Sequence, residues 1–459
     1  MNEAMESGNR ANETVESHRR ANDTAESRKE VTVIGAGLAG SECAWQMAQR
    51  NISVTVCEMK PLKKIPAHHT DFFAELCCSN SLRSDQLSNA VGLLKEEMRR
   101  LHSLILQCAD ETRVQAGGAL AVDRHAFAQT VTQRIREHPN IRVVSGEVTQ
   151  IPPGEVVIAT GPLTSDAFAE VLQELLGEDS ALSFYDAAAP LISAQSVDMN
   201  RAWMGSRYGR GSDDYVNCPL TEEEYNAFWN ALTTAEEAPV HGFEDSKVFE
   251  GCMPVEVMAR RGRDTLCYGP LKPRGLCDPR TGKEPFAVVQ LRRDNAEGSV
   301  YNLVGFQTHL KFPEQKRVFS MIPALEHAEF LRYGVMHRNT FINSPRLLDS
   351  CYRLRTQPRI SFAGQITGVE GYVESAASGL LVGIETARRL AGVSPVHFPP
   401  ETAIGALAHY ISNPSVTAFQ PMNINFGIMP PLQKRVRGKK FRNEAISARS
   451  LEILEKLSE

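Results

Sequence analysis

The chain has 459 residues, 42% of them hydrophobic and 23% charged, with a formal net charge of −5. That length implies two or three core-forming units, and no apolar run approaches the ~18 residues a membrane helix needs. The acidic balance leaves any contact with nucleic acid to a local basic patch. No apolar leader core precedes the first strand, so a cytoplasmic protein is expected. Ten cysteines are present without a C-x-x-C pair or histidines at zinc spacing, which points to free thiols and no metal.

Residues 1–29 form a polar tail in which Glu6-Ser7, Glu16-Ser17 and Glu26-Ser27 recur every ten residues. It holds too little apolar surface to offset its ordering entropy, so disorder is expected. From Val31, VTVIGAGLAG reads as a buried strand, a glycine turn and a helix start, and ISVTVCE at 52–58 reads as the second strand of a βαβ unit. Helices are expected over 85–107 and 123–137, and strands over 141–148 and from 156. The texture then changes to intermixed aromatics, prolines and charges, which reads as an inserted mixed α/β domain. Near 360 a strand, a glycine-rich turn and a long small-residue helix return, and a last helix is expected over roughly 442–458. The expected division is 30–185 and 326–459 for one Rossmann-like α/β domain and 186–325 for the insert.

The turn Gly35-Ala36-Gly37-Leu38-Ala39-Gly40 has the spacing of a dinucleotide fingerprint, with glycines for the tight turn, pyrophosphate approach and helix–strand packing. Glu58 closes the next strand, where a carboxylate can accept from a ribose diol. Ile158-Ala159-Thr160-Gly161 ends another strand in small residues. Gly364, Gln365, Gly368 and Gly371 form a second turn whose helix-start amides can face the pyrimidine edge of a flavin. Two such turns at opposite ends of the chain point to FAD rather than NAD as the resident cofactor.

Cys252 lies between glycine and proline in EGCMP, a setting for an exposed nucleophilic thiolate. Cys78 sits in a polar loop, with Arg83 close enough in sequence to lower its pKa if the fold joins them. His68-His69-Thr70-Asp71 reads as hydrogen bonding to cofactor or substrate, and His337-Arg338-Asn339 as a polar contact or a surface cluster. Lys434, Arg435, Arg437, Lys439, Lys440 and Arg442 place six cations in nine residues; phosphate binding and a solvated face both fit.

The strings GAGLAGSE, PAHHTD, CSNSLRS, NAVGLLKEEM, AGGALAVDR, EGCMP, NLVGFQTHLK and AGQITGVEGYVESAASG closely resemble the folate- and FAD-dependent tRNA uracil-5-methyltransferases of bacteria, over about residues 31–458. The resemblance implies methylation of C5 of the T-loop uridine of tRNA. Methylenetetrahydrofolate would donate the carbon, FAD would relay and reduce it, and NAD(P)H would regenerate the flavin. It further implies that Cys252 is the thiolate that adds to uracil C6, with Cys78 a second functional cysteine near the flavin. Alternatives are folate- and FAD-dependent modification of the wobble uridine, a small-molecule FAD oxidoreductase, and a non-catalytic flavin-bearing RNA-binding or scaffold protein.

Overall fold

The computed structural model describes residues 30–65, 67–177, 181–187, 189–209, 213–238, 253–334, 336–416 and 419–458. The polar tail and Cys252 lie outside the described residues, as do the side chains of His337, Arg338 and Asn339. Among the described residues no helix is long and apolar enough to cross a membrane.

Alternating β-branched residues in Glu30–Ile34 are buried on both faces, and that strand sits in the middle of a five-stranded parallel sheet. Its neighbours are Ser53–Glu58 and Glu155–Ile158, and the outer strands are Ile141–Ser145 and Ile360–Phe362. The ladder continues into the loops that follow. Gly35 N–H donates to Cys57 O at 2.8 Å, Ala159 N–H to Ile34 O at 2.8 Å, and Ala363 N–H to Ile158 O at 2.9 Å. The three small-residue turns of the sequence therefore stand side by side at the carboxyl ends of adjacent strands, where open α/β sheets bind ligands.

Helices Leu38–Ala48 and Tyr372–Leu390 cross closely because neither carries bulk at the contact. A Cβ on Gly379 would lie 2.2 Å from Ala39 O, and one on Gly383 would lie 2.7 Å from Cys43 O. The single helix expected over 85–107 is two helices, Ala90–Arg100 and Leu104–Glu111. The break is local chemistry: His102 takes φ +58°, and the Ser103 hydroxyl caps the second helix by accepting from Leu106 N–H at 3.2 Å.

The chain leaves this unit on strand Ala181–Ala187 and returns antiparallel to it on Met336–Ile342, as a two-stranded ribbon. Between them lies a six-stranded antiparallel sheet in the order Trp203–Met204, Tyr215–Leu220, Ala287–Arg293, Val300–Leu303, Leu191–Ser193, Phe330–Arg332. It has its own hydrophobic core, from Ile192 to Ala328. Its edge strand, Phe330–Arg332, pairs with Leu191–Ser193, the first strand after the ribbon, so this sheet extends past residue 325.

Inside the insert, buried His309 has a carboxylate at each ring nitrogen: Glu256 Oε1 stands 2.7 Å from Nδ1, and Glu237 Oε2 faces Nε2. Nε2 hydrogen-bonds Glu237 while Nδ1 meets Glu256 as an ion-pair contact without hydrogen-bond alignment, and both carboxylates favour the imidazolium. Burial pulls its pKa down, but the two carboxylates outweigh burial and hold it above the ordinary value. A raised folded-state pKa gives stability that is complete below the unfolded value and lost as pH rises through the folded one. His309→Gln should therefore destabilise the insert by about 1–3 kcal/mol at pH 6, and by progressively less as pH rises. Thermal unfolding of both proteins from pH 6 to 9.5 measures this. A deficit that stays constant across that range would contradict the assignment.

Candidate active site

The strand ends open on a cleft. It is lined by Gly35 to Ala39, Glu58, Thr160 and Gly161, Gly364 and Gln365, and on one wall by Cys77, Cys78 and Tyr372. The first turn is built for a phosphate. Gly35 takes φ +99°, and a Cβ there would meet Ala159 O at 2.6 Å, whereas a Cβ on Gly37 would meet nothing within 4 Å. Gly40 has Gly35 O where its Cβ would be, at 1.9 Å, which seats the helix on the turn. The helix has no acidic residue in its first turn and no side-chain cap, so its positive end is left for an anion. Glu58 is fixed between the turn and its own strand: Oε2 accepts from Ala36 N–H at 2.8 Å and Oε1 from Lys60 N–H at 3.0 Å.

At the second turn Gly364 and Gln365 line the cleft, while Gly368 and Gly371 are absent from its lining. Their missing side chains serve packing instead. A Cβ on Gly368 would lie 2.4 Å from the Phe419 ring, and one on Gly371 would lie 2.4 Å from Glu374 Oε2. Glu374 itself occupies the first turn of helix Tyr372–Leu390, so part of that helix's positive end is met by the helix's own carboxylate.

Cys78 is half-buried. Its N–H donates to Tyr372 Oη at 2.8 Å, and its Sγ lies 2.9 Å from the same oxygen. Burial, then the neighbouring Cys78 and Cys77, push the Tyr372 hydroxyl well above its usual pKa, so it stays a phenol. Arg83 takes φ +62°, and its guanidinium pairs with Glu374. The cation that faces Cys78 is Arg124, whose Nη1 donates to Leu76 O at 2.5 Å and Cys77 O at 3.3 Å. Cys77 is pushed up to about 12 by burial, which makes it an inert neighbour. His68 lines the cleft with no partner at Nδ1, and burial, then Lys60, lower its pKa to about 4, so it is neutral at ordinary pH. Lys60 is buried against Glu75 at 3.5 Å, and Glu75 accepts the N–H groups of His69 and Thr70. Among the described residues no three His, Cys, Asp or Glu side chains gather as a metal site.

Sequence reading missed Tyr372, Arg124 and Glu75. Arg124 carried one signal, its place directly after Asp123, whose carboxylate accepts from Ala126 N–H at 2.9 Å as a helix cap. The basic run is exposed throughout. Lys439, Lys440 and Arg442 begin helix Lys439–Ser458, which docks on its neighbours through Asn443 to Ser88 O at 3.0 Å and Ser447 to Leu87 O at 2.7 Å. Cations at a helix N-terminus oppose the dipole.

A parallel sheet with a dinucleotide turn at one strand end and a second glycine turn from the far end of the chain beside it defines an FAD-binding α/β protein of the two-dinucleotide type. Residues 30–394 match the model of the glucose inhibited division protein A family. Relatives named methylenetetrahydrofolate–tRNA-(uracil-5-)-methyltransferase TrmFO include one from Acetivibrio thermocellus. It is 61% identical over 92% of this chain and 97% of its own length. Another, from Anoxybacillus flavithermus, is 60% identical over 93% of this chain and 98% of its own length. The solved structure of Aquifex aeolicus GidA superposes with a TM-score of 0.68 at 15% identity, covering 93% of this chain and 73% of that one, which supports the fold. The chain belongs to the TrmFO family, within the broader GidA group.

Tyr372→Phe removes the oxygen that Cys78 meets with both its N–H and its sulfur. Flavin content, read from the visible spectrum, should be retained. Turnover should fall about tenfold, the size of one lost buried hydrogen bond; full activity would show that the tyrosine is only packing.

Proposed function

We propose that this chain methylates C5 of the T-loop uridine of tRNA, using methylenetetrahydrofolate as the carbon donor and FAD as the bound cofactor. The single observation that carries the reading is one cleft lined by both glycine turns and by Cys78. Gly35 to Ala39 would hold the FAD pyrophosphate, Glu58 its ribose, and Gly364 with Gln365 the ring end. When bound, FAD supplies the relay for the one-carbon unit and the electrons that reduce it to a methyl group, and NAD(P)H is the source of those electrons.

The protein's own share is to make uracil reactive and to manage protons. C5 of uracil is a weak nucleophile until a thiolate adds to C6 and leaves an enolate. Cys252 is assigned that addition. After C5 has taken the carbon, its proton must leave before the C6–sulfur bond breaks and restores the ring. Cys78 takes part in that transfer, a reading supported by its contact with the Tyr372 hydroxyl. The uridine must first be extruded from the folded T-loop, at a cost of a few kcal/mol. Backbone contacts from Lys434, Arg435, Arg437, Lys439, Lys440 and Arg442 offset it. Three cations on a helix N-terminus are locally unfavourable, and a phosphate partner reverses that.

The test is purified protein with an unmodified tRNA transcript, methylenetetrahydrofolate labelled in the transferred carbon, and NADPH. Label should appear in the uracil methyl with wild type and should be absent with Cys252→Ala. Charge reversal at Lys434, Arg435 and Arg437 should weaken tRNA binding and flatten its dependence on salt. Flavin-loaded wild type that transfers no label would refute the function and leave the fold untouched.

A further inference from the structure

Behind the cysteine wall of the cleft, at the junction with the insert, guanidinium groups outnumber their counter-charge among the described residues. Arg124, Arg292 and Arg332 all face Asp294. Only Arg124 bonds it, through Nη2 at 2.7 Å. Arg292, fully buried, spends its donors on neutral acceptors, Asn80 Oδ1 at 3.1 Å and Ser79 Oγ at 2.8 Å. Nε of Arg124 and both Nε and Nη2 of Arg332 are screened from solvent and have no acceptor. Glu75 adds no relief, because it is held by Lys60 and by the N–H groups of His69 and Thr70. Among the described residues this leaves two positive charges in excess, with orphaned donors in a low-dielectric junction, a setting that favours an anion.

The geometry of the orphaned pair identifies which anion. Nε and Nη2 form the edge of a guanidinium that presents two parallel N–H bonds, matched to the two oxygens of one carboxylate. This protein uses that edge repeatedly. Arg99 grips Asp110 with it at 2.8 and 2.9 Å, Arg280 grips Asp278 at 2.9 and 2.7 Å, and Arg317 grips Glu314 at 3.0 and 2.6 Å. Arg332 ends edge strand Phe330–Arg332, behind the cleft lining, and interacts electrostatically with Cys77 and Tyr372, both of which line the cleft. We propose that Arg332, backed by Arg124, binds a carboxylate of the co-substrate in this cleft, the acidic tail of the reduced folate; this rests on the folate reading above. A small diacid suits a recess between two packed units. An RNA phosphate is better served by the exposed run at 434–442. Because both donors are covered here, binding draws the Arg332 side chain toward the cleft.

Flavin-loaded wild type and Arg332→Met are compared for affinity toward tetrahydrofolate and toward 6-methyltetrahydropterin, which has the ring and no carboxylate. Wild type should hold the folate more tightly than the pterin. Arg332→Met should weaken folate on the order of tenfold or more, leaving the pterin, the flavin spectrum and tRNA binding unchanged. Arg332→Lys should recover little, because an ammonium cannot present two parallel donors. Unchanged folate affinity in Arg332→Met overturns the proposal, and so does an equal loss for folate and pterin, which would make Arg332 a wall support. A loss confined to tRNA, with a shallower salt dependence, overturns it in favour of a phosphate. Wild type that binds no reduced folate overturns the functional reading itself, an outcome separable from all of these.

Discussion

The contact on which the rest depends is the crossing of helices Leu38–Ala48 and Tyr372–Leu390, where Gly379 leaves no side chain between the second helix and the Ala39 carbonyl. More than three hundred residues separate the two helices in the chain. Their closeness sets the spacing of the strands and turns that precede them. Ala363 N–H reaches Ile158 O, and Ala159 N–H reaches Ile34 O, only because Ile360–Phe362 is held at the far edge of a sheet seeded by the amino-terminal strand. A bulkier residue at Gly379 would spread the two glycine turns, and with them both ends of the cleft. The small residues of this helix are therefore part of the site's geometry, although none of them need touch a ligand.

The junction between the two units is polar where such junctions usually are, and the polar groups belong to the site. Asn80 donates to Val122 O in its own unit and to Arg293 O in the insert, at 3.0 and 2.9 Å, and accepts from Arg292. Asp123 caps its own helix and also accepts from Ala296 N–H at 3.0 Å. Arg124, beside it, ties the carbonyls of Leu76 and Cys77 to Asp294. The loop carrying Cys78 is thus clamped between the sheet unit and the insert, and rotation of one on the other would break buried, charge-assisted bonds. The sulfur stays beside Tyr372 because both units are in register.

What could be read in the sequence follows from the range of the interactions. The βαβ start, the fingerprint glycines and Glu58 are local. A buried β-branched run, a turn that needs Gly35 at φ +99° and a carboxylate at the next strand end lie within 30 residues, and periodicity and spacing report them. The glycines of the second turn were legible as a turn but not in their division of labour. Gly368 makes room for Phe419, which is about fifty residues away and carries no local signal. Arg83 pairs with Glu374, a partner 291 residues away that proximity in sequence does not reveal. Tyr372 and Arg124 become functional candidates only through partners 294 and 170 residues distant, and pattern reading does not reach that far. The break at His102 was missed for the opposite reason: apolar spacing on both sides of it is helical, and a single residue at φ +58° is invisible to periodicity.

The insert's role follows from where its chain is tied rather than from its sheet alone. Residues 239–252, which include Cys252, leave after Ala238 and rejoin at Met253, and both ends are fastened to one short segment. Ala238 N–H donates to His309 O at 2.8 Å, and Val255 N–H to Gln307 O at 2.7 Å. The His309 ring then bridges Glu237 on the outgoing side to Glu256 on the returning side. Glu256 is fully buried and takes two further bonds, from Thr308 Oγ1 at 2.8 Å and His309 N–H at 2.9 Å, so it cannot be released without leaving a buried charge unpaired. His309 with its two carboxylates ties the two ends of segment 239–252 together, and the clamped junction holds them in place relative to the flavin cleft.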